Sequence, residues 1–80
     1  MQILQKNRIF GQNVRAARIA AGMTQEQTAA KLQLLGLDIS RSSYSQIECG
    51  MRNVHVDEIA ALKQIFGVSY DDFFAGLEPQ

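Results

Sequence analysis

The stretch from Ile39 to Arg52, ISRSSYSQIECGMR, gathers the side chains of this chain best suited to recognition chemistry. With Ser40 as N-cap, a 3.6-residue period puts Tyr44 and Ile47 on one face of a helix. Arg41, Ser42, Ser45, Gln46 and Cys49 fall on the other. A guanidinium and a carboxamide can each make two parallel hydrogen bonds to a planar partner, and hydroxyls donate or accept singly. An ordinary solvated helix would instead carry Glu and Lys at spacings of three and four. Each of these residues also has a plain reading as a solvated side chain, so the elements around them must decide.

Catalytic chemistry finds little footing. No acid–base pair stands beside a candidate nucleophile and no glycine-rich phosphate loop is present, so no enzyme is expected. One Cys (Cys49) and one His (His55) fall short of any metal-site pattern, and neither a metal nor a cofactor is expected. Cys49 reads as a small filler near a helix end, with redox sensing as the alternative. His55 reads as a loop or N-cap residue.

Eighty residues make one domain, 1–80, with one small core. No apolar run approaches the roughly 20 residues that span a bilayer, and MQILQKNRIF lacks the order of a signal peptide. A cytoplasmic protein with no membrane partner is the expectation. The formal charge is zero, which taken alone disfavours a nucleic-acid partner. Its distribution points the other way. Through Arg52, seven basic residues (Lys6, Arg8, Arg15, Arg18, Lys31, Arg41, Arg52) face three acids (Glu26, Asp38, Glu48), a net of +4. From Asn53 onward Lys63 faces Asp57, Glu58, Asp71, Asp72 and Glu78, a net of −4. Such an asymmetry can orient a protein on a polyanion.

Helix starts and stops divide the chain. From Asn7 to Ala21, Phe10, Val14, Ala17 and Ala21 recur at spacings of three and four, and Gly22 is a left-handed stop. Thr24 with Gln27 forms a capping-box pattern, and Ala29, Leu32 and a leucine at 34 or 35 supply a buried stripe that ends near Leu35. Gly50 closes the third helix. Val56, Ile59, Leu62 and Phe66 share a face of a fourth, stopped by Gly67, with Lys63 at its edge. Ser69 caps a short fifth turn, with Asp71 and Asp72 at its positive end. Pro79 lies in the tail. Nothing reads as a strand, and the fold class is all-α: five short helices in one compact domain.

A tight helix pair whose second member turns polar side chains outward is what a helix-turn-helix requires. Three motifs occur in order: R-x-x-R-x-x-x-G-M-T-Q-E-Q, S-R-S-x-x-S-Q-I-E-x-G-x-R and F-G-V-S. Over about residues 9–77 the chain resembles the DNA-binding domain of the Cro/cI-type phage repressors, the XRE family. The resemblance implies a lambda-repressor-like five-helix domain. It also implies that Gln25, at the start of the second helix, holds a DNA phosphate together with nearby backbone amides, as a helix N-terminus can. Arg41, Ser42 and Gln46 match positions that meet base edges, Ser45 lies near the backbone or a base, and Arg52 and Asn53 match phosphate contacts. Glu48 is paired with Arg18 in a structural bridge. Chemistry agrees in part: Arg pairs with guanine and Gln with adenine, whereas Ser discriminates poorly.

Two features depart from the family pattern. QLLGLDIS adds several residues between Leu32 and Arg41, implying a longer second helix and an enlarged turn. Thr28 stands where a large aliphatic residue is usual and Tyr44 where isoleucine is common, so Tyr44 is expected to fill space that Thr28 leaves. The expected partner is double-stranded DNA, bound through the major groove by a homodimeric transcriptional repressor. The alternative is a protein-interaction adaptor or antitoxin-like regulator on the same scaffold. Phe73, Phe74 and Leu77 are the candidate dimer or partner surface, with packing against the first helix as the other reading.

Overall fold

The computed structural model describes residues 3–4 and 7–77, with side chains from Asn7 to Leu77. Lys6, Glu78 and Pro79 lie outside the described residues. Five helices follow one another: α1 (Arg8–Ala20), α2 (Gln25–Leu34), α3 (Arg41–Glu48), α4 (Val56–Phe66) and α5 (Tyr70–Phe74). Local chemistry fixes their starts. Asn7 accepts from the Phe10 amide at 2.9 Å, Ser40 from Ser43 at 3.1 Å, and Thr24 and Gln27 form a reciprocal capping box. Ser69 and Asp72 form another, and His55 is the N-cap of α4, where its amide donates to Glu58 Oε1 at 3.0 Å.

One element departs from the all-helical expectation. β1 (Ile3–Leu4) pairs antiparallel with β2 (Val54–His55), with Ile3 opposite His55 and Leu4 opposite Val54. A two-residue strand carries no alternation to read, and its partner lies about fifty residues away, so sequence pattern gives no sign of it.

The core joins Phe10 and Val14 of α1, Leu32 of α2, Tyr44 and Ile47 of α3, Ile59 and Leu62 of α4, and Phe73 of α5. Each such side chain, fully removed from water, contributes about 1.5–3 kcal/mol. Ala21, Val56 and the leucine expected at 34 or 35 lie outside it. Ala21 is the exposed C-cap of α1. Val56 opens α4 ahead of the packed turn and is 45% exposed. Leu34 and Leu35 are 86% and 45% exposed, and Ile39, on the far side of the turn, is buried instead.

The enlarged turn, residues 35–40, is pinned. Gly36 adopts φ 89°, the Leu37 amide bonds back to Leu32 at 3.1 Å, and Gln33 Nε2 donates to the Ile39 carbonyl at 2.9 Å. Thr28 and Tyr44 are both fully buried, and each polar atom has its own partner: the Thr28 hydroxyl donates to the Thr24 carbonyl and the Tyr44 hydroxyl to Glu48.

Of the candidate partner surface, Phe73 follows the other reading and packs against the first helix. Phe73 is fully buried and meets Phe10 edge-on, with ring centroids 5.9 Å apart. Phe74 leans on the same ring at 5.4 Å with 37% of its surface exposed, and half-buried Leu77 packs against the core. Asn13 of α1 holds this end down, its Nδ2 donating to the carbonyls of Phe73 and Ala75, each at 2.8 Å. An edge-to-face pair adds about 0.5–1.5 kcal/mol beyond area, which favours this packing over exposure.

Candidate nucleic-acid interface

Tyr44, Ile47 and Glu48 are the buried residues of α3, so the opposite face has nothing of the protein to lie on. Arg41, Ser42, Gln46 and Cys49 are exposed and Ser45 is half-buried. Gln25, the first residue of α2, joins Arg41, Ser42, Ser45 and Gln46 in lining one shallow polar concavity. The tertiary structure thus brings five of the expected DNA-contacting residues together. A second concavity between α2 and α4, lined by Lys31, Leu34, Leu35, Gln64 and Ile65, shares no residue with it.

Behind this face, one carboxylate ties three helices together. Arg18 of α1 grips Glu48 through Nε on Oε2 at 2.7 Å and Nη2 on Oε1 at 3.2 Å, and its Nη1 donates to the Met23 carbonyl at 2.9 Å. Gln25 Nε2 donates to Glu48 Oε1 at 3.0 Å, and the Tyr44 hydroxyl donates to Oε2. Burial alone would push the Glu48 carboxyl up. The hydrogen bonds from Arg18, Tyr44 and Gln25 outweigh it and hold the group below the ordinary value of 4.5. The Glu48 hydrogen bond raises Arg18, and burial followed by the same carboxylate pushes the Tyr44 phenol far up. Glu48 is therefore ionised and Tyr44 neutral at physiological pH.

Arg52 lies just past α3 in a two-pronged pair with Glu58, Nη1 on Oε1 and Nη2 on Oε2, both at 3.0 Å. Its Nη1 also reaches the Asn53 carbonyl at 3.2 Å. Asn53 is exposed. Sequence reasoning missed the Glu58 partner of Arg52, for which no helical spacing gave a clue. It also missed the Tyr44 hydroxyl, although Tyr44 and Glu48 at i, i+4 on one helix are neighbours by geometry.

The arrangement offers donors and acceptors at fixed spacing. Among the described residues no group of three or more His, Cys, Asp or Glu could hold a metal ion, and no helix is long and apolar enough to cross a membrane. A family model described as helix-turn-helix matches residues 14–73, three quarters of the chain. The chain belongs to the helix-turn-helix family of the Cro/cI (XRE) type. This helix-turn-helix protein is also similar to a solved structure, the restriction-modification controller protein C.AhdI from Aeromonas hydrophila. The two are 31% identical with a TM-score of 0.70, over 81% of this chain and 87% of that one. No curated protein matches it. It is accordingly a DNA-binding transcription regulator.

Proposed function

We propose that this helix-turn-helix protein is a repressor that binds duplex DNA as a homodimer, with α3 lying in the major groove. The observation that carries the reading is the grouping of Gln25 with Arg41, Ser42, Ser45 and Gln46 in one exposed polar concavity. In this reading Arg41 and Gln46 discriminate bases by paired hydrogen bonds, and Ser42 adds a short, permissive contact. Gln25 and Ser45 fix the register on the backbone, and Arg52 and Asn53 touch phosphate beyond α3. The likeness to a restriction-modification controller supports a regulatory role. The adaptor reading draws on the zero net charge and the short serines, and the antitoxin-like variant on an exposed C-terminal aromatic surface, of which Phe73 is internal and Phe74 37% exposed.

Enrichment of sites from a random duplex pool, followed by a salt titration on the winner, tests this reading. A palindrome whose half-sites are spaced by about one helical turn is the expected result for a dimer. Weak, salt-sensitive binding with no enriched sequence would sink it.

A further inference from the structure

Glu48 accepts four hydrogen bonds, two on each oxygen. That matches the roughly four lone-pair sites of a carboxylate, so the group is saturated. Tyr44 supplies one donor from a fully buried position one turn earlier on α3. Arg18 and Tyr44 together hold Oε2, which leaves Oε1 presented to Arg18 Nη2 and to Gln25. Gln25 is the member of the cluster that also lines the concavity on the α3 face. Its amide nitrogen carries two protons. With one directed inward to Glu48, the planarity of the amide fixes the direction of the other.

We propose that Tyr44 is a positioning residue for the DNA-binding surface: its hydroxyl holds Glu48 in the orientation that sets the Gln25 carboxamide. This rests on the DNA-binding reading above. Without the hydroxyl, Oε2 keeps one donor, Arg18 Nε, against two on Oε1, so the carboxylate resettles within the Arg18 fork and the acceptor of Gln25 moves with it. A group held in its binding orientation beforehand loses less freedom when its partner arrives, and that advantage disappears.

Tyr44→Phe removes the hydroxyl and keeps the ring. The full chain, with and without Gln25→Ala, is titrated against the enriched duplex, and the Gln25 side-chain amide signals are followed by 1H–15N NMR. Tyr44→Phe should weaken binding roughly threefold to tenfold, the usual coupling within one hydrogen-bond network. The loss should vanish in the Gln25→Ala background, and the amide pair should move toward the position of a free carboxamide. A Tyr44 hydroxyl that serves stability alone would change Tm while leaving affinity and amide signals unmoved, which overturns the proposal. Equal losses in both backgrounds overturn it too, because Tyr44 would then not act through Gln25. If Tyr44→Phe does not fold, Tyr44→Ile read by the same amide signals makes the decision. A wild-type chain that binds no duplex sinks the DNA reading, and the amide signals still report whether Tyr44 orients Gln25.

Discussion

Gly11 of α1 lies directly against the backbone of Glu48: a β-carbon at Gly11 would stand 2.5 Å from the Glu48 carbonyl oxygen and as close to that of Ile47. The first helix therefore rides on the C-terminal end of α3 at a distance only a glycine permits. Gly11→Ala should cost about 1–3 kcal/mol by overpacking, because a carbonyl in a helix cannot swing aside. Urea unfolding checks this, and an unchanged midpoint would mean that α1 and α3 can separate freely.

The Arg18–Glu48 pair is expected to matter more than a surface bridge. Its side chains are 12% and 2% exposed, so removing one partner strands the other. Glu48→Ala should destabilise the fold by about 3–5 kcal/mol. A loss under about 1 kcal/mol, as for exposed pairs, would show that solvent already screens the site.

Acid should act through the same carboxylates. Glu48 and Glu58 have pKa values lowered from 4.5 in the folded chain. In both, burial opposes the shift and hydrogen bonds outweigh it, led by Arg18 for Glu48 and Arg52 for Glu58. A depressed folded value means that the unfolded chain binds more protons in the window below 4.5, so stability rises with pH there. Their contribution is fully present above that value and lost as pH falls through the depressed ones. Glu48→Gln should be weaker than wild type at neutral pH and converge toward it in acid. Parallel stability curves would rule out this linkage.

On DNA, Arg41 and Gln25 should fail differently. Arg41→Ala should cost about 1–3 kcal/mol on the preferred site and relax one base position. Gln25→Ala should weaken preferred and random duplexes alike, as a backbone contact does. Competition titrations on both DNAs separate the two. Equal losses on random DNA for both variants would remove Arg41 from base reading.

Two neighbouring phenylalanines offer a clean contrast. Phe73→Ala should cost about 3–5 kcal/mol as a filled core position is emptied. Phe74→Ser, at a side chain already partly in water, should cost much less. Thermal unfolding of the two variants tests the order, and a reversal would restore Phe73 to the surface.

Features that act over one turn of helix were legible in the residues alone. Asn7, Thr24, Ser40 and Ser69 cap their helices because a short polar side chain reaches an amide two or three residues on. Gly22, Gly50 and Gly67 follow their helices with positive φ, and the 3.6 period alone separates Tyr44 and Ile47 from Arg41, Ser42 and Gln46. The motifs carried the family, and with it the Arg18–Glu48 bridge. Choices among chemically equal candidates belonged to the tertiary structure: Phe73 inside and Phe74 at the rim, Ile39 buried and Leu34 outside. Packing also paired Ile3–Leu4 with Val54–His55, Gln25 with Glu48, and Arg52 with Glu58. Sequence periodicity says which face of an element is apolar. Which members of that face are covered, and which polar groups meet behind it, depends on how neighbouring elements dock, and local spacing does not encode that.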